Sequence, residues 1–276
     1  MTKQELNYFT AEKITERVTR IRSAFEVCMY YVQGDTTGVL LDTGLGCGDL
    51  KGFVDSIAKT PYQVILSHGH CDHGGGSGQF EEVYLSPLDF ELEKQHCTVE
   101  RRAYEIHQAP VPLPDTWSLD QMIPQRQTPF LPLSEEMVFD LGGVTLEITL
   151  VPGHTAGMMV FLLPEEKIAI YGDASGENTL ICFPESTSLK EHLTALKKLK
   201  RYDGRYERIL RNHGVFESDL ILLDNNIQTC ERILAGSDDR VPVHVHGVDG
   251  FAGKDRSKLH LESEKTGNIV YTLDKL

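Results

Sequence analysis

Ser67-His68-Gly69-His70-Cys71-Asp72-His73-Gly74-Gly75-Gly76 sets four potential metal ligands within six positions, directly after the apolar run Val64-Ile65-Leu66. Crowding three imidazoles and a carboxylate costs free energy unless a cation gathers them. That ligand mix suits zinc and its first-row neighbours, so the stretch is read as a metal site, against the alternative of a His-rich surface turn. Residues 63–66 are expected to form a short central strand. The motif then lies at a strand's carboxyl end, where open α/β sheets present ligands. Gly74, Gly75 and Gly76 are read as letting the backbone turn tightly beside the ligands.

On the amino-terminal side, residues 14–21 and 25–32 are rich in β-formers, and Gly34-Asp35 supplies a turn. Residues 37–42 read as a buried strand. Thr43-Gly44-Leu45-Gly46-Cys47-Gly48 then leads into a helix over residues 49–58. This loop lacks the Lys-Ser/Thr ending of a phosphate-binding loop and the spacing of a dinucleotide fingerprint, so it is read as a close backbone turn. A strand is expected at residues 82–85.

Residues 87–132 change character. A charged helical segment at 88–108 gives way to Pro110-Val111-Pro112-Leu113-Pro114 and further Pro-bounded chain, which reads as an insertion covering a site. Tyr104, Trp117, Met122 and Phe130 are candidates for a substrate wall or for anchors of the insertion. Strand signals return at residues 137–141, 144–151, 158–163 and 167–171, with His154 and Asp173 at strand ends. A helix over 189–201, a strand over 208–210 ending in Asn212-His213-Gly214, and a helix over 218–234 follow. The chain closes with β-like segments at 241–245, 259–261 and 268–272. Strands then helices, twice over, argue for two sheets between helical layers, in one domain spanning residues 1–276.

The chain has 276 residues, 40% hydrophobic and 25% charged, which is the composition of a globular protein. A formal net charge of −14 repels phosphate backbones and argues against nucleic acid as a partner. No apolar run is long enough to cross a bilayer, and the polar amino terminus has no secretory pattern, so no membrane partner and a cytoplasmic location are expected. The six scattered cysteines form no Cys-x-x-Cys pair, so neither a zinc ribbon nor a disulfide framework is indicated.

Five separated motifs, Leu41-Asp42-Thr43-Gly44, His68-Gly69-His70-Cys71-Asp72-His73, Gly153-His154-Thr155-Ala156-Gly157, Gly172-Asp173 and Asn212-His213-Gly214, resemble the ordered motifs of the metallo-β-lactamase superfamily. The resemblance runs from about residue 18 to about residue 234. It implies an α/β fold, a four-layer αββα sandwich, with a two-metal site. His68, His70 and His154 would hold one metal, and Asp72, His73 and His213 the other. Asp173 would bridge the two, while Asp42 would orient ligands without binding metal. Two zinc ions are the expected cofactors, with iron or manganese as alternatives.

The bridging Asp173 sets the chain apart from true β-lactamases and nearer the glyoxalase II-like thioesterases and the lactonases. The carboxyl-terminal β-like segments depart from the helical glutathione-binding domain of glyoxalase II. Ala174-Ser175-Gly176-Glu177-Asn178 lacks the tyrosine that acyl-homoserine lactonases place after the aspartate. The resemblance thus implies a zinc-dependent hydrolase in which a metal-bridging hydroxide attacks the ester, thioester or lactone carbonyl of a small acyl substrate. Asp72 would orient that hydroxide and pass its proton to the leaving group. The alternatives are a mononuclear-iron persulfide dioxygenase of the same fold and a non-catalytic metal-binding sensor. Cys71 and Cys182 are read as spectator thiols, and His244 and His246 as surface or lining histidines.

Overall fold

The computed structural model describes residues 8–108, 117–261 and 266–276, so the Pro110 to Pro114 run lies outside the described residues. The chain divides into two compact units. The first is residues 1–134 with 139–145, and the second is residues 135–138 with 146–276.

In the first unit, β1 (Phe9–Lys13) and β2 (Val18–Ser23) form a hairpin. Sequence patterning runs a strand through residues 14–17, but these make the turn. The Thr15 hydroxyl accepts from the Arg17 and Val18 amides and so offers the backbone a local partner in place of a ladder. β3 (Cys28–Gln33), β4 (Gly38–Leu41) and α1 (Leu50–Ile57) follow, with Asp49 capping the helix through a 2.8 Å bond from the Gly52 amide. After β5 (Tyr62–Ile65) the metal motif folds into a single turn, α2 (Cys71–Gly74). β6 (Val83–Leu85), α3 (Phe90–His96), α4 (Val99–Gln108) and β7 (Leu131–Pro132) complete this part. The seven strands form one sheet in sequence order, antiparallel through β4 and parallel from β4 to β7.

Gly75 and Gly76 prove to be fixed by crowding and not by unusual dihedrals. Their φ angles are −60° and −88°, and a β-carbon on Gly76 would lie 2.4 Å from the Thr43 carbonyl oxygen. The expected helical segment of residues 88–108 is present as α3 and α4. Met122 and Trp117 pack with Leu45, Cys47, Cys71, Cys97 and Ile106, and Phe130 stacks on Phe90. These side chains anchor the segment to its own unit, while Tyr104 is exposed.

The second unit takes in Val138, the first residue of β8 (Val138–Asp140), and β9 (Thr145–Leu150) from Leu146 onward. It continues through β10 (Met159–Leu163), β11 (Ile168–Ile170), β12 (Thr179–Ile181), α5 (Leu189–Leu199), β13 (Arg208–Leu210), β14 (Glu217–Ser218) and α6 (Ile221–Leu234). β15 (Val241–Val245), β16 (Val248–Ala252) and β17 (Ile269–Tyr271) end it. Six strands form a sheet in the order β14-β13-β11-β10-β9-β8. Its core joins Val160, Leu162, Ala169 and Ile209 to Leu196 and Leu199 of α5 and Leu222, Cys230 and Ile233 of α6.

The chain carries a third sheet, β12-β17-β16-β15, where two were expected. Residues 259–261 are not a strand. Asp255 caps a short helical turn, Arg256–Lys258, in front of them, and the strand that pairs with β15 is β16. Among the described residues, no helix is long and apolar enough to cross a membrane.

Candidate metal centre

In the first unit the candidate ligands are placed by parallel pairing. β4 and β5 run side by side with Leu41 opposite Ile65, so Asp42 and the motif leave the sheet at the same edge. Asp42 is buried and left-handed, with φ of 65°, a conformation a non-glycine residue holds only where its surroundings impose it. Here the surroundings are hydrogen bonds. Its carboxylate accepts from the Ser67 amide at 2.7 Å, the Ser67 hydroxyl at 2.9 Å and His73 Nδ1 at 2.8 Å. With its own proton committed to Asp42, the Ser67 oxygen accepts from His68 Nδ1 at 3.0 Å.

This chain of bonds places the ring protons of His68 and His73 on Nδ1 and leaves both Nε2 lone pairs for a cation. His68 Nε2 stands 3.1 Å from His70 Nδ1, and His73 Nε2 stands 3.6 Å from the Asp72 carboxylate. His70 is stacked on His96 at 5.0 Å between ring centroids. Sequence reading placed Asp42 in this orienting role and missed Ser67, whose only signal was its position between the strand and His68.

In the second unit β9 is antiparallel to β10, β10 is antiparallel to β11, and β11 is parallel to β13. β9, β11 and β13 therefore exit the same sheet edge and bring His154, Asp173 and His213 with them. Gly172, at φ of 53°, makes the turn before Asp173. The Asp173 carboxylate lies 3.4 Å from His154 Nε2 and 3.7 Å from His213 Nε2. His154 donates from Nδ1 to the Leu180 carbonyl at 2.8 Å, which frees its Nε2.

A residue without any spacing signal supports this loop. His192 of α5 is fully buried and donates from Nδ1 to the Pro152 carbonyl at 3.0 Å. A β-carbon on Gly153 would fall 2.0 Å from that nitrogen, so glycine is the residue that fits. Burial lowers the His192 pKa to about 4, the Pro152 bond opposing and the nearby His154 adding to the shift, so His192 is neutral at pH 7.

The cluster within each unit passes a test of fit. Two ligands about 2.0–2.2 Å from one tetrahedral cation stand roughly 3.3–3.6 Å apart. The pairs within each unit, from 3.1 to 3.7 Å, bracket that spacing and are mostly longer than good hydrogen bonds. The donors are imidazole and carboxylate, and His68, His70, His73 and His154 are buried.

Cys71 is buried in a hydrophobic cluster, where burial foremost, then Asp72 and Glu105, push its thiol well above the usual range. Burial likewise raises Cys182 to about 11. Neither thiol ionises readily. His244 is exposed and bonds Asp249 at 2.7 Å, whereas His246 packs against Phe183.

The fold and these donor sets suit a protein that holds metal ions at strand ends, and comparison with known proteins places the chain in a family. The model of the metallo-beta-lactamase superfamily matches residues 24–206, so the chain belongs to that superfamily. The chain is 26% identical over 203 residues to "Acyl-coenzyme A thioesterase MBLAC2" of Bos taurus, covering 67% of this chain and 72% of that protein. It is 28% identical over 146 residues to "Hydroxyacylglutathione hydrolase GloC" of Haemophilus influenzae, covering 53% and 65%. A solved metallo-beta-lactamase from Pontibacter korlensis shares the fold at a TM-score of 0.61 and 20% identity, over 81% of this chain and 99% of that one.

Proposed function

We propose that this protein is a metal-dependent thioester hydrolase, holding two divalent cations, zinc by ligand chemistry, on the seven residues its family motifs assign. His68, His70 and His154 hold the first, Asp72, His73 and His213 the second, and Asp173 serves both. The observation that carries this reading is the Asp173 carboxylate standing within 3.7 Å of both His154 Nε2 and His213 Nε2. A carboxylate shared in this way by two imidazoles is suited to bridging cations. The relatives named for acyl-coenzyme A and hydroxyacylglutathione hydrolysis, both acyl groups on thiol carriers, favour a thioester over a lactone.

Bound cations supply water activation at neutral pH and Lewis-acid polarisation of the carbonyl. The protein's own groups do the rest. Asp42 and Ser67 keep His68 and His73 in the ligating tautomer. Asp72, whose side chain is 29% exposed, accepts the proton of the attacking water and returns it to the departing thiolate, as the acyl–sulfur bond breaks and the acyl–oxygen bond forms.

The test joins metal analysis to a panel of acyl thioesters, lactones and β-lactams. About two zinc ions per chain with turnover of thioesters supports the proposal. One iron with oxygen consumption on a persulfide refutes it, as does full hydrolysis by a metal-free Asp173→Ala protein.

A further inference from the structure

The third sheet has two unlike faces. Ile181, Ile269 and Tyr271 point into the core shared with α5 and α6. On the opposite face the register aligns Leu180 with Val270, Val270 with Ala252 and Ala252 with Val241 in one continuous rung. Two further rungs lie along the same face: Val243 opposite Gly250, and Val245 opposite Val248. The paired side chains of these rungs are apolar, and the Thr272 methyl reaches beside Gly250. Of these, Leu180, Val241, Val243, Val245 and Val248 are only half-buried, and the cluster they form contains residues of this sheet and of the Cys182-Phe183 loop alone among the described residues.

This face runs to a metal ligand. Phe183 belongs to the same cluster and sets its ring edge-on against His154, with centroids 5.8 Å apart at 71°. Its other flank meets His246 in the turn between β15 and β16 at 6.1 Å. Leu180 supplies both a side chain to the face and the carbonyl that fixes His154. β15 alone provides roughly 13 Å of strand.

We propose that this face seats the acyl chain of the substrate, with Val243, Val245 and Val248 lining its course and Phe183 guiding its carbonyl end toward His154. The inference rests on the thioesterase reading and narrows it to substrates with a long unbranched acyl group. The seat is continuous with a proposed ligand, and Val243, Val245 and Val248 give it an apolar course.

The experiment compares wild type with the double variant Val243→Asn/Val245→Asn, using acetyl and dodecanoyl thioesters of N-acetylcysteamine and dodecanoate binding by calorimetry. The ratio of dodecanoyl to acetyl kcat/KM is expected to fall at least tenfold, and dodecanoate affinity to fall by a similar factor. His244→Asn, on the other face of β15, should change neither. An unchanged ratio in a double variant that still turns over thioesters overturns the seat and leaves the thioesterase reading intact. Absence of all thioester turnover in wild type, with dodecanoate binding that the double variant weakens, sinks the thioesterase reading and keeps the seat. Should the double variant not fold, Val245→Trp fills the same face and is expected to lower the same ratio; no change there also overturns the seat.

Discussion

Asp42 shows how much a single residue can organise. It accepts three hydrogen bonds while held at φ of 65°, and its carboxylate fixes His73 directly and His68 through Ser67. Asp42→Ala should therefore weaken metal binding about 10–100-fold with little change in ligand identity, as loss of an outer partner does elsewhere. Competitive titration with a chromogenic chelator measures this directly.

His192 makes a different kind of prediction. Its folded pKa of about 4 lies below the ordinary 6.5, so between those values the unfolded chain binds a proton that the folded protein does not. Its contribution is fully present above about pH 6.5 and is lost as pH falls toward 4. At pH 5 the loss is about 2 kcal/mol. In urea unfolding, the stability gap between wild type and His192→Gln should narrow by about that amount from pH 7.5 to pH 5. An equal gap at both pH values would contradict the assignment.

At the scale of elements, α5 is set in place by a reciprocal cap. Ser188 Oγ accepts from the Glu191 amide at 3.3 Å and donates to the Glu191 carboxylate at 2.8 Å, while that carboxylate accepts from the Ser188 amide at 3.0 Å. Ser188→Ala should cost about 1 kcal/mol, or roughly 2–4 °C in Tm for a chain of this size, by calorimetry. α4 is tied down more strongly. The fully buried Arg102 donates to the carbonyls of Cys97 at 3.0 Å, Leu45 at 3.3 Å, Gly46 at 3.2 Å and Ile123 at 2.6 Å. One guanidinium thereby satisfies the loop after β4 and the chain beyond α4. Arg102→Met leaves those carbonyls without their donor and should destabilise by about 3–5 kcal/mol in denaturant unfolding.

Across the whole molecule, metal and stability are linked. Within the second unit the proposed ligands His154, Asp173 and His213 are brought together only by folding, so a cation they hold binds the folded state and not the unfolded one. Zinc at about a thousandfold excess over its Kd should stabilise by roughly 4 kcal/mol. Chelator-stripped protein is expected to melt several degrees lower and to recover on zinc addition; identical Tm values with and without zinc would argue against a site built by folding.

The sequence by itself determined the family and the order along the chain of the residues proposed as ligands, because imidazoles and carboxylates at strand ends form a pattern that survives without coordinates. It also located α1, α5, β13 and β15, whose apolar periodicity is local. The tertiary structure alone decided what depends on contacts between distant segments. Ser67 acts only because β4 delivers Asp42 beside it, and His192 matters only because Gly153 packs on its ring. The short strands β12 and β16 carry little pattern of their own and exist through pairing with β17 and β15. The apolar face beside His154 arises from that pairing, since register, which aligns Leu180, Val270, Ala252 and Val241, is a property of the sheet and not of any one strand.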